Sequence, residues 1–206
     1  MHLKRKRVVT QLPEEYSRVT NPERFRPLHD FALQLLARLT SEYEVAESDA
    51  VEMIPSVIMR GLAHARPPIT LTPTSPAEAA ISIAFTPFPG LILRCGRFLV
   101  KPFPICGCDH CAETVEGETE RLQGMLDAVV NGHFLEEVEL PVFGVSHGWW
   151  QLGRIDAPYG LSGGGVSLSR DRARELRRAG LGQVQWKPWS SRPTQAGSFR
   201  VHSNTR

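Results

Sequence analysis

The chain has 206 residues, 41% hydrophobic and 22% charged, with a formal net charge of +2. That length suits a single domain able to bury its own core without disulfides. The near balance of charge excludes nucleic acid or an anionic membrane as the default partner. No apolar run reaches the ~18 residues that a membrane span requires.

The opening residues, Met1-His2-Leu3-Lys4-Arg5-Lys6-Arg7, are basic, and no long apolar segment follows them. They do not read as a secretory signal. Residues 1–19 are expected to form a flexible basic arm, and a cytoplasmic location is the expectation. In that compartment clustered cysteines serve as metal ligands or reactive thiols more often than as disulfides.

Asn21-Pro22-Glu23 is a good helix start, with a capping side chain, a first-turn proline and an acid at the positive end of the dipole. Phe25, Leu28, Phe31, Ala32, Leu35, Leu36, Leu39 and Tyr43 recur at helical spacing, which predicts one amphipathic helix over 22–44. His29 takes a flank position on it. Glu42, Glu44, Glu47, Asp49 and Glu52 mark its end and a loop.

From 57 to 104 the pattern changes to short β-branched and apolar runs: Val57 to Met59, Pro68 to Thr72, Ala79 to Phe85, Leu91 to Arg94 and Phe98 to Val100. Proline and glycine separate them, as in an antiparallel meander. Pro68 and Pro73 push their strand towards a sheet edge, because proline donates nothing to the ladder.

A second helix is predicted over 111–131, with Asp109 as its cap, Glu113, Glu116 and Glu118 favoured in its first turns by the dipole, and Asn131-Gly132 as its stop. Further strands are expected at 133–140, 142–152 and 166–168. Gly163-Gly164-Gly165 reads as a flexible turn, since no Lys-Ser/Thr pair follows to make a phosphate loop. Ser169 caps a short helix ending at Gly180 and rich in arginine. Trp186 and Trp189 pin the next segment to the body by burying large apolar areas. The order of elements is not strictly alternating. It predicts an α+β fold over 20–189, an antiparallel meander sheet packed by two long amphipathic helices and a short C-terminal one. Residues 190–206 are expected to be a disordered tail.

The chemistry concentrates in Cys106-Gly107-Cys108-Asp109-His110-Cys111. Zn²⁺ takes four ligands in a tetrahedron and favours thiolate sulfur. Cys-x-Cys-x-x-Cys brings three sulfurs to one centre if the backbone turns tightly, and Gly107 permits the turn. Cys111, at a helix start, would have its thiolate favoured by the dipole. A fourth protein ligand is harder to find. An extended segment places Cys95 on the order of 20–30 Å away, and the second helix separates His133 by roughly 30 Å. His147 is the best candidate, and a three-thiolate site completed by water is the alternative. Two other readings use the same residues: a redox pair formed by Cys106 or Cys108 with Cys111, and a rigid turn whose cysteines only pack. Glu136 and Glu137 are explained by alternating exposure along a strand.

Phe88-Pro89-Gly90-Leu91, Arg94-x-Gly96-Arg97, Phe103-Pro104-x-Cys106-Gly107-Cys108-Asp109-x-Cys111 and Gly132-x-Phe134-x-Glu136-Glu137 together resemble an uncharacterised bacterial family. It is a domain-of-unknown-function group with a Cys-Gly-Cys-Asp-x-Cys signature. The likeness extends from about residue 20 to Trp189. It implies a small intracellular protein and implies no activity. The expectation is therefore a non-enzymatic cytoplasmic protein in which Cys106, Cys108, Cys111 and His147 hold a structural zinc ion, with room for a protein partner. The alternatives are a thiol-based redox sensor or thiol-dependent enzyme and, third, a nucleic-acid binder using Lys4 to Arg7 and the arginine helix.

Overall fold

Proline decides where the first helix begins. Pro27 has no amide hydrogen and cannot continue an i→i−4 ladder begun at Glu23. The chain makes one 3-10 turn, Pro22–Phe25, and restarts as α1, Pro27–Glu42, with the proline in its first turn. The helix predicted over 22–44 is thus two elements. The computed structural model describes residues 18–49, 65–153 and 161–193. The Val57 to Met59 run, residues 1–17 of the expected arm and residues 194–206 of the expected tail lie outside them. Ser190 to Arg192 are held: Ser191 bridges to Tyr43, and Arg192 donates its amide to the Glu42 carbonyl at 2.8 Å.

The class is α+β, with antiparallel strands in two sheets rather than one. The first contains β1, Val45–Ser48; β2, Arg66–Pro73; β3, Ile81–Phe85; β4, Leu91–Cys95; and β5, Leu99–Phe103, paired in chain order. α2, Val115–Val130, follows it. The second contains β6, Phe134–Glu139; β7, Ser146–Gly153; β8, Leu161–Leu168; and β9, Gln183–Gln185, in the order β8-β7-β6-β9. α3, Arg170–Arg178, joins its two outer strands. No helix of the described residues is long and apolar enough to cross a membrane.

Two strands differ from expectation for physical reasons. β2 is not an edge, since β1 pairs with it over Val45–Ser48. It accommodates Pro67 and Pro68 through an irregularity in register against β3 between Arg66 and Ile69. The glycine triplet is not a turn. It is the middle of β8, opposite Gln151, Trp150 and Trp149. A Cβ on Gly165 would stand 2.5 Å from the Trp149 ring, and one on Gly164 2.8 Å from that of Trp150. Those two positions carry no side chain because indoles lie over them.

Phe25, Leu28, Leu36 and Leu39 of the N-terminal helices pack with Ile81, Ile83, Phe85 and Leu93 of the first sheet, and with Leu122, Leu126, Val129 and Phe134. His29 is buried rather than flanking. Its Nε2–H donates to the Gly90 carbonyl at 2.9 Å, and its ring meets Phe85 edge-on. The sheets meet at Glu136, which is fully buried. Its carboxylate accepts from the Arg97 amide at 2.8 Å, the Phe98 amide at 2.6 Å, Arg97 Nε at 3.0 Å and Trp186 Nε1 at 3.0 Å. The alternation expected along this strand holds, with Glu136 on its buried side and Glu137 exposed, but it does not foresee the four donors that the inward acid gathers.

Replacing Glu136 by alanine strands those donors. Glu136→Ala should lower unfolding free energy by about 3–5 kcal/mol, the usual consequence of breaking a buried ion pair. The denaturant midpoint measures this. A loss below about 1 kcal/mol, typical of an exposed pair, would show that the junction does not depend on this acid.

Candidate metal centre

Between the end of β5 and the start of α2 the backbone curls around one side chain. The Glu113 carboxylate accepts from the amides of Ile105 at 2.9 Å, Cys106 at 2.9 Å and Gly107 at 2.7 Å. Gly107 turns at φ +71°, where a Cβ would lie 2.8 Å from the Phe88 ring and 3.0 Å from the ring of Pro104. Glycine is needed there for both conformation and space. Ala112, at φ +49°, makes a second left-handed turn just after Cys111.

These turns bring the thiols of Cys106, Cys108 and Cys111 within 4.8 Å of one another. Cys108 is buried, and its two partners are exposed. A tetrahedron with Zn–S bonds of about 2.3 Å spaces its sulfurs by about 3.8 Å, so only small movements separate the cluster from that geometry. The thiols are not equivalent. The bond from the Cys106 thiol and then the Cys111 amide favour charge on Cys108, and hold its thiol below the ordinary value against some burial. Bonds to Cys108 and Cys106, with burial, push the Cys111 thiol up to about 12.

The loop is clasped to the N-terminal segment. The Asp109 amide donates to the Arg18 carbonyl at 2.9 Å. Its carboxylate accepts from the Thr20 amide at 3.1 Å, Thr20 Oγ1 at 3.2 Å and Arg18 Nε at 3.3 Å. Arg24 reaches the carbonyls of Gly107 at 3.0 Å and Cys108 at 3.3 Å, with its Nη1 3.5 Å from Asp109. Asp109 is therefore not the cap of the second helix. That role belongs to Thr114, whose Oγ1 accepts from the Gly117 amide at 3.2 Å. α2 consequently starts at Val115, Cys111 is not at its first turn, and its thiol moves opposite to the direction a helix dipole would give.

Of the four expected ligands, three converge and one does not. His147 lies on β7 opposite Glu139, with Nδ1 3.9 Å from that carboxylate and its ring 5.3 Å from Trp149. It is not part of the thiol group. Cys95, set aside on distance, is buried in β4, where burial and then the Glu136 charge push its thiol up. Glu113 and Arg24 were not singled out as site residues. The position of Glu113 between Cys111 and a helical stripe suggested only a dipole-favoured acid, and nothing near Arg24 in sequence points to residues 107–108.

A fold with this loop has a relation. Residues 5–193 match the model of a "Family of unknown function (DUF6226)". The chain belongs to that family, and the match reaches into the basic arm as well as spanning both sheets. No curated protein and no solved structure matches it.

The carboxyl of Asp109 is held below its ordinary value, first by the Thr20 amide. That of Glu113 is opposed by burial, yet the Gly107, Cys106 and Ile105 amides win and lower it too. A lowered folded value gives stability that is complete above the unfolded range of about 3.9–4.3 and is lost as pH falls through the folded value. Thermal unfolding of metal-free protein should show this loss below about pH 4, and Asp109→Asn should make the acid decline shallower. Superimposable profiles for parent and variant would remove the clasp from the acid response.

Proposed function

We propose that Cys106, Cys108 and Cys111 hold one Zn²⁺ ion, which fixes the β5–α2 loop and, through Asp109 and Arg24, the segment leading into α1. The role is structural and non-enzymatic, and suits a reducing compartment such as the cytoplasm, where thiols stay free. The observation that carries this reading is the mutual approach of three thiols within 4.8 Å, on a loop already shaped by amide bonds to Glu113. Zn²⁺ at this position would neutralise the charge of adjacent thiolates and cross-link residues that the backbone alone leaves in a turn. The three thiols stand together without His147, and in this reading water takes the fourth position.

Glu113 acts here through the loop amides rather than by touching the ion. Outer partners of this kind alter metal affinity by about 10–100-fold when removed. Glu113→Ala should therefore weaken zinc binding by about that factor in competition with a chromogenic chelator, while Glu116→Ala, in the first turn of α2, should not. Equal affinities in the two variants would deny Glu113 its part.

A thiol-switch reading has one observation in its favour: exposed Cys106 and Cys111 both lie beside Cys108. Metal analysis of the purified chain, with free-thiol titration before and after chelation, separates the readings. One equivalent of zinc, with three thiols masked until chelator is added, is the expected result. A metal-free chain with one fast-reacting thiol would sink the zinc reading and favour the switch.

A further inference from the structure

β6 and β7 are joined by Leu140-Pro141-Val142-Phe143-Gly144-Val145. Val142 is 79% exposed, Phe143 89% and Val145 57%. Three apolar side chains thus stand in water at the extremity of a two-stranded hairpin. Gly144 turns the chain at φ +100°, and no atom beyond its chain neighbours comes within 4 Å of where its Cβ would be. The loop is a projection rather than the wall of a groove.

The basic helix lies at its base. α3 runs from β8 to β9, the outer strands of the order β8-β7-β6-β9, so it must cross β7 and β6, and it packs against both. Both of its ends are fixed near the loop. Leu168, two residues before α3, pairs with Ser146, and the carbonyl of Gly182, just after it, accepts from the Val138 amide at 2.7 Å. α3 buries Ala173 and Leu176 and carries five arginines against Asp171 and Glu175. Arg172 pairs with Glu175 at 2.8 Å and Arg174 with Asp171 at 3.2 Å. Among the described residues Arg170, Arg177 and Arg178 have no ion pair. The acid nearest the loop in sequence, Glu139, accepts from Trp149 Nε1 at 2.8 Å and lies 3.9 Å from His147 Nδ1.

We propose that this end of the molecule docks on an anionic phospholipid surface, with residues 142–145 entering the boundary between headgroups and acyl chains and the α3 arginines meeting the headgroups. An apolar element backed by basic side chains binds such surfaces by burying its apolar part about 5–10 Å deep and adding attraction from each cation. The shape favours a bilayer over a protein. A stable protein interface takes about 800 Å² per partner, and a single projecting turn offers no flat or concave area of that kind. The net charge of +2, which argued against a membrane, averages away a local excess of arginine. The proposal does not depend on the thiol site.

The test is co-sedimentation of the full chain with vesicles of phosphatidylcholine alone and of phosphatidylcholine with phosphatidylserine. Binding to the anionic vesicles only, weakened by salt, is expected. Val142→Ser with Phe143→Ser should weaken it at least tenfold, and Arg177→Gln with Arg178→Gln by roughly fivefold per arginine. All of these side chains project from the surface except the Arg177 stem, whose Cγ would lie 3.4 Å from a Cβ placed on Gly182, and unchanged thermal transitions confirm folding. The proposal is overturned by the absence of any partition onto anionic vesicles. It is equally overturned if the serine variant binds like the parent, which would move the contact to Lys4 to Arg7, or if the tip instead supports a concentration-dependent dimer that the serine variant abolishes.

Discussion

Glu136 takes four N–H donors from two distant parts of the chain, and the two sheets are joined where it does so. A carboxylate with no exposed surface costs several kcal/mol to bring out of water, and only well-formed charge-assisted bonds offset that cost. Here the donors are the amides of Arg97 and Phe98, the Arg97 guanidinium and the Trp186 indole. The β4–β5 turn, the middle of β6 and the segment after β9 are therefore fixed to one point. Gly96 lies against the same group: a Cβ there would be 2.9 Å from Glu136 Oε2. The turn must be small as well as donating. Trp189, held by its Nε1 to the Ala79 carbonyl at 2.9 Å, fastens the same C-terminal segment to the connection between β2 and β3.

The cysteine loop uses the same device twice more. Glu113 collects three consecutive amides, and Asp109 collects donors from the segment before α1. α2 caps itself independently through Thr114. The loop's shape is thus set by polar bonds that leave the three sulfurs within 4.8 Å of one another. Such preorganisation reduces the ordering that binding would otherwise require. It also explains how a short stretch with little apolar surface is held between a sheet and a helix.

Much of this was legible in the residues, and the failures share a cause. The Ser169 cap, the Asn131-Gly132 stop and the pinning tryptophans are local or strongly apolar signals, and they are found where the pattern places them. Pro27 split a helix whose stripe alone ran on unbroken. The glycine triplet misled because its reason is a pair of indoles on the neighbouring strand. Asp109 and Glu113 read locally as a cap and a dipole partner, and Glu136 as one of an alternating pair of strand acids. Each instead serves a backbone donor elsewhere, and a carboxylate carries no sign in sequence of which distant amides it will meet. His147 reads as a candidate ligand because nothing nearby in sequence constrains it, and strand pairing sets it opposite Glu139.

The central claim is that three sulfurs share one ion, and zinc-edge X-ray absorption on the full chain addresses it directly. The account predicts a first shell of three sulfurs at about 2.3 Å with one nitrogen or oxygen at about 2.0–2.2 Å. A shell of nitrogen and oxygen alone, or a chain that retains no zinc when supplied with it, would contradict the account.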